Sequence, residues 1–381
     1  MDFQPLVRFL DNYLPMLGIP GADTSVYLDR EEVFRYQSGY DSIERATPVR
    51  PDALYNIYSC SKPATMCALL SLAERGEISI TDPVYAYLPE FRDLTYRVKK
   101  EDGTYDIVPC KNVMTVRQLM NMTSGLDYNL DTPAIREVKA RTGGRCPTVE
   151  IASALARSPL SFEPGTDFQY SLGHDVIGAI VEVVSGKRFG DYMKEAIFDP
   201  IGMRDTSFDP PESEAYRFAT QYELLDGRAV EVPFRYNHLR PGPDYESGGA
   251  GIITTVADYA LFTDTLTHMG LAKNGNRILA PSSIELLRTN TLVGRPMETY
   301  ARWGVLRLGY GYGLGVRVNM EPALAGNPAA VGEFGWDGYK LSYLSADPKN
   351  EVSIFHAEHL GHYNSLVIPR LRSVVYACLG I

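Results

Sequence analysis

Strand-like sequence lies at both ends of the chain and helical sequence fills the middle, an ordering that restricts the possible folds more than any other feature. DTSVYLD and EEVFRYQSGYD flank an Asp29-Arg30 turn, and ALYNIYS at 53–59 reads as a third strand running into Ser59. Strand patterns return near the C-terminus in GYGLGVRV, KLSYLSAD and EVSIFHA. In the middle, apolar residues recur every three to four positions in VRQLMNM, VEIASALARS, HDVIGAIVEVVSG and GDYMKEAIFDPIGM, separated by Gly-, Pro- and Asp-rich loops. This ordering predicts an α/β (α+β) architecture. Residues 1–85 and 245–381 would form one sheet domain from both chain ends, residues 86–244 a mostly helical insertion, and the functional cleft would lie between them.

Helices are expected around this sheet. Phe3, Val7, Leu10, Leu14 and Leu17 mark an amphipathic helix closed by Gly18. SCSKPATMCALLSLAERG is apolar on most faces and stops at Gly76, the pattern of a helix buried between layers. ITTVADYALFTDTLTHMG and PRLRSVVYACLG supply two more near the C-terminus.

Composition excludes several function classes. With 45% hydrophobic and 22% charged residues over 381 positions, the chain has the balance of a globular protein with a large core. A net charge of −10 and the lack of a basic run argue against nucleic acid as a partner. No stretch approaches about 18 uninterrupted apolar residues, so no spanning helix and no membrane partner are expected. The N-terminus interrupts its apolar residues with Asp2, Arg8 and Asp11 and does not read as a signal peptide. Five scattered cysteines without a Cys-x-x-Cys pair fit a reducing compartment, and a cytoplasmic protein is expected.

Ser59-Cys60-Ser61-Lys62 is the one Ser-x-x-Lys of the sequence. Residues three apart share a helix face, so the Lys62 amine can reach the Ser59 hydroxyl. A serine at a helix N-terminus also has backbone amides available for the negative charge that develops on an attacked carbonyl. To act as a base, the lysine must be neutral, which requires burial or nearby positive charge. Chance alone supplies about one such tetrapeptide in a chain of this length, and a capped helix with a surface lysine would look the same. Tyr170, in FEPGTDFQYSLGHDVIGAIVE, stands where a loop meets a helix start. As a phenolate, or as a phenol bonded to Lys62, it could relay the serine proton to a leaving group.

Several ordered segments go beyond the tetrapeptide: SCSK at 59–62, MTVRQLMNMTSGL at 114–126, FEPGTDFQYS at 162–171, DPIGMRDTSF at 199–208 and GGAGIITTVADYALF at 248–262. In these the chain resembles the class C beta-lactamase and penicillin-binding superfamily, and within it the family VIII carboxylesterases. The resemblance implies a beta-lactamase-like fold with an antiparallel sheet flanked by helices. It also implies a covalent acyl-enzyme on Ser59, proton transfer by Lys62 and Tyr170, oxyanion amides of Ser59 and Tyr339, and no metal or cofactor.

Departures from the family pattern narrow the expected substrate. Tyr-x-Asn is replaced by Tyr170-Ser171-Leu172, and Leu172 cannot hydrogen-bond a substrate amide. Lys-Thr-Gly is replaced by Trp336-Asp337-Gly338, so the cation that would hold a penicillin carboxylate is lost and Asp337 would repel it. Both replacements are similar to those in the esterases; Arg141-Thr142-Gly143 precedes Tyr170 and reads as a loop. Tyr128 and the stretch 236–249 are expected to border the cleft, whose aromatic character favours an apolar acyl or aryl group. The expected partner is therefore a small, largely uncharged ester or acyl compound.

Alternatives remain open from the sequence. An acyltransferase would differ only in acceptor access, a beta-lactamase or D-amino peptidase would need substitutes for the lost recognition groups, and a binding or sensory module would not need Ser59, Lys62 and Tyr170 together. There is no Gly-x-Ser-x-Gly for an α/β-hydrolase elbow. His356, His359 and His362 are three of six histidines, but their spacing suits no helix face. They are expected to be exposed or at the cleft edge rather than metal-bound, with His359 or His362 near the acyl pocket.

Overall fold

The computed structural model describes residues 1–233, 235–361 and 363–381, without the side chain of Val305. Eight strands form one antiparallel sheet: β1 (Gly21–Leu28), β2 (Glu31–Ser42), β3 (Thr47–Pro48), β4 (Tyr310–Tyr312), β5 (Arg317–Asn319), β6 (Phe334–Asp337), β7 (Ser342–Asp347) and β8 (Val352–Ala357). Their order is β4-β5-β6-β7-β8-β1-β2-β3. The β1–β8 pairing, in register from Asp23↔Ala357 to Leu28↔Val352, joins the two ends of the chain, as the ordering of strand patterns predicted.

Both faces of the central strands are buried. Leu344, Ala346, Phe355 and Ala357 enter one core with the helices Ser61–Glu74, Gly173–Ser185 and Val256–Thr267. Tyr343, Val352 and Ile354 enter another, beneath the terminal helical segments Gln4–Met16 and Asn364–Leu379. Alternation of side chains along a strand thus supplies two cores at once, and β7 and β8 are buried at every position. Among the described residues no helix is long and apolar enough to cross a membrane.

Some expected elements take another form. Of 53–59, only Tyr55–Asn56 is a strand, and it pairs with Ile253–Thr254 outside the large sheet. The apolar run there reflects burial rather than sheet membership. GYGLGVRV splits into β4 and β5, because Gly315, at φ +81, allows the chain to reverse. The middle of the chain contains, besides helices, the hairpins Thr95–Lys99/Tyr105–Pro109 and Gln221–Leu225/Arg228–Val232. Arg141 ends the helix Pro133–Arg141, with Thr142-Gly143 in the turn that follows.

Candidate active site

Ser59 lies in a 3-10 turn, Tyr58–Cys60, that runs directly into the Ser61–Glu74 helix. Tyr58 has φ +47, a left-handed conformation costing a side-chain-bearing residue about 1–3 kcal/mol. Its contacts hold it there: the hydroxyl donates to Gln221 Oε1 at 2.7 Å, and the ring meets Tyr339 edge-on at 5.7 Å.

Lys62, one turn on, is completely buried. Its Nζ donates to Ser59 Oγ at 3.2 Å, Tyr128 Oη at 3.1 Å and the Gly249 carbonyl at 2.8 Å. Burial brings the Lys62 pKa down to about 7; the negative charge of Asp175 is the largest opposing influence. Neutral amine is therefore abundant near neutral pH. Asp175, in the first turn of the Gly173–Ser185 helix, is buried behind this lysine and accepts from Tyr245 Oη at 2.8 Å and Ser247 Oγ at 2.5 Å.

Two tyrosines bracket the pair. Tyr128 and Tyr170 stack with centroids 5.6 Å apart, and the Tyr170 ring centroid is 4.5 Å from Lys62 Nζ. Burial raises both phenols well above their ordinary pKa, and hydrogen bonding from Ser59 offsets this only in part. Burial thus favours the phenol form of each, and with it the phenol reading of Tyr170 over the phenolate one. The hydroxyl bonded to Lys62 is that of Tyr128, whereas Tyr170 Oη accepts from Trp336 Nε1 at 3.0 Å.

A cavity of about 340 Å³ opens on Ser59 and Tyr170. Trp336, Asp337, Gly338 and Tyr339 form one side, at the end of β6. The pairing of β5 with β6 stops at Arg317↔Gly335, which leaves Trp336 and Asp337 with an unpaired strand edge. A Cβ on Gly338 would stand 2.2 Å from Ser342 Oγ and 2.4 Å from the Ile57 carbonyl, so only glycine lets β6 approach the Ser59 turn this closely. Ser59 and Tyr339, the expected oxyanion pair, both line the cavity.

Trp303, Arg307 and Asn364 complete the wall and were not anticipated from sequence. The Arg307 guanidinium lies 5.0 Å from the Trp303 ring and 4.5 Å from that of Trp336, and both its terminal nitrogens are 3.3 Å from Asp337 Oδ1. Asn364 Nδ2 donates to Asp337 Oδ2 at 3.3 Å. The available signal was composition: the chain has two tryptophans, and both line this cavity. Arg307 and Asn364 carried no such mark.

Other expected residues fall elsewhere. Leu172 is buried in the helical core at the start of the Gly173–Ser185 helix and does not line the cavity. From the stretch 236–249, Tyr245, Ser247 and Gly249 support Lys62 and Asp175 from behind, while His238 packs 5.4 Å from the Tyr339 ring. His356 and His359 are buried, not exposed or at the cleft edge. His356 bonds Thr24 and Glu358 at 2.8 Å each, and His359 is held by the Ala219 carbonyl and the Asn56 amide. His362 lies outside the described residues. A larger cavity of about 700 Å³, between the N-terminal helix and β2, includes neither Ser59 nor Lys62.

A family model described as Beta-lactamase matches residues 6–365. Esterase EstB of Burkholderia gladioli is 31% identical, over 96% of this chain and 93% of its own. Among solved structures, EstCE1, described as a hydrolase with promiscuous acyltransferase activity, superposes with a TM-score of 0.77 at 23% identity, covering 97% of both chains. Unliganded simvastatin synthase (LovD) from Aspergillus terreus, as its selenomethionyl derivative, gives 0.80 at 22%, covering 98% of both.

Proposed function

We propose, from the premise that this chain belongs to the beta-lactamase family and is a serine hydrolase, that it cleaves small, uncharged carboxylic esters through an acyl-enzyme on Ser59. The observation that carries the reading is the Ser59–Lys62 contact of 3.2 Å, with the lysine buried and its pKa near 7. Neutral Lys62 takes the hydroxyl proton as Oγ attacks the ester carbonyl. The backbone amides of Ser59 and Tyr339 receive the developing oxyanion. Collapse of the tetrahedral intermediate breaks the bond to the alcohol oxygen, which is protonated by Lys62 directly or through Tyr170. Water, deprotonated in turn by Lys62, then attacks the acyl carbon; the bond to Ser59 Oγ breaks, Lys62 returns the proton to Oγ, and the acid leaves.

The charge of the cavity favours neutral substrates. Arg307 is the one cationic side chain among the described residues that line the cavity, and it is engaged by Asp337 rather than free to bind the carboxylate of a penicillin. Four aromatic rings, Tyr170, Trp303, Trp336 and Tyr339, line the space instead. Similarity to an esterase over nearly the whole chain supports the same substrate class. Five unpaired cysteines support a reducing, cytoplasmic setting.

Mass spectrometry after fluorophosphonate treatment tests the nucleophile: a single adduct on Ser59 is expected, and no adduct there would refute the reading. Comparison of p-nitrophenyl acyl esters with nitrocefin tests the substrate class, with faster ester turnover expected. Acyl transfer is a second reading, favoured by the acyltransferase activity named for EstCE1. Added alcohol would then divert the acyl group from acid to a new ester.

A further inference from the structure

The β1–β2 turn, the β7–β8 turn and the end of the Val256–Thr267 helix converge at one edge of the sheet. They bring together one ligand atom each from Asp29, His268 and Glu351, all within 4.8 Å of one another. The two turns are bonded directly, the Asp29 amide donating to the Glu351 carbonyl at 3.0 Å. Asp29 and Glu351 have φ +48 and +56, and both side chains are exposed.

The histidine supplies an independent observation. Its side chain is 10% exposed, and Nδ1 is occupied, 3.0 Å from the Asp264 carbonyl and 3.2 Å from Asp264 Oδ1. Nε2 is the nitrogen left over, and it is buried without a hydrogen-bond partner. An imidazole N–H held by a backbone carbonyl, with the other nitrogen left unpaired in a ring that stands beside two acidic groups, is how a metal-binding histidine is oriented. The Asp264 carbonyl, one helical turn back, occupies the orienting position. The nearest cations are already engaged: Arg30 is bonded to the Leu271 carbonyl and lies 3.9 Å from Asp264, and Lys273 pairs with Glu31.

The geometry points to a divalent transition-metal site of the zinc type, formed by Asp29, His268 and Glu351 with water as the remaining ligand. One imidazole with two carboxylates suits zinc better than magnesium or calcium, which prefer oxygen alone. Ligand atoms around tetrahedral zinc are about 3.4 Å apart, a closure that exposed Asp and Glu side chains can make by changing rotamer. The bound ion would pin both sheet turns to the helix covering them. It is a structural clamp and takes no part in the chemistry at Ser59.

Calorimetric titration of the metal-free full chain with zinc chloride tests the site. A Cys110→Ser background removes the one thiol that is not buried. One equivalent of zinc is expected to bind, raising Tm, while magnesium chloride gives neither effect. His268→Gln, and the double change Asp29→Asn with Glu351→Gln, should each weaken zinc binding by about tenfold or more. Unchanged affinity in the double variant, whose altered side chains are exposed, would overturn the proposal even if His268→Gln fails to fold. So would failure of the parent to bind millimolar zinc, or equal uptake of magnesium.

Discussion

Lys62 is a buried amine with three oxygen neighbours, and its charge state decides whether Ser59 can be activated. Turnover should rise with pH and level off above about 7, because the base must be unprotonated. Asp175 favours the ammonium form; replacing it removes that influence, lowers the lysine pKa and moves the rising limb to lower pH. Asp175→Asn is therefore expected to shift the kcat/KM profile toward acid, and a limb that stays put or moves to higher pH would contradict the assignment. Ser59→Ala and Lys62→Ala should each reduce turnover of a p-nitrophenyl ester by about 1,000-fold or more, and Tyr170→Phe by about 100-fold. Tyr128→Phe discriminates between the two phenols. It removes the bond to Lys62 but keeps the stacked ring, and a loss exceeding that of Tyr170→Phe would make Tyr128 the principal proton relay.

The end of β6 and the Ser59 turn act as one assembly, clamped where Ser342 Oγ donates to the Ile57 carbonyl at 2.6 Å and Gly338 leaves no side chain between them. Gly338→Ala would force the two apart. It should cost about 1–3 kcal/mol of stability, visible as a lower Tm, and should lower kcat more than it raises KM, because the oxyanion amides separate. Unchanged kcat would mean that the Tyr339 amide takes no part. These elements also mark the limit of what the sequence discloses. Strands β1, β2, β7 and β8 could be read because short runs rich in β-branched and aromatic residues are bounded by turn residues, and the Ser59–Lys62 pair because a helix fixes residues three apart. Residues 53–59 could not, since a buried apolar run looks alike inside and outside a sheet. Arg307 and Asn364 reach the cavity only through tertiary packing. His356 seemed exposed because its partner Thr24 is on a strand more than 300 positions away in sequence.

Joining the two chain ends in one sheet sets Ser59 and Lys62, from the first part of the chain, against the β6 edge, from the last part, and the cleft exists only once both are folded. The whole molecule also carries a net charge of −10, which acts on any charged substrate approaching that cleft. Locally, Asp337 offsets Arg307, the one cationic side chain among the described residues that line the cavity, so that this pair does little to counter the long-range field. An anionic substrate such as nitrocefin is therefore repelled on approach, whereas a neutral ester is indifferent. Salt separates the two cases, since the screening length falls from about 30 Å at 0.01 M to about 8 Å at 0.15 M. Over that range kcat/KM for nitrocefin should rise a few-fold, while the value for a neutral p-nitrophenyl ester stays level. Asp337→Asn leaves Arg307 uncompensated and should raise the nitrocefin-to-ester ratio further. A ratio insensitive to both salt and this substitution would mean that charge does not set the preference, leaving the shape of the aromatic wall to account for it.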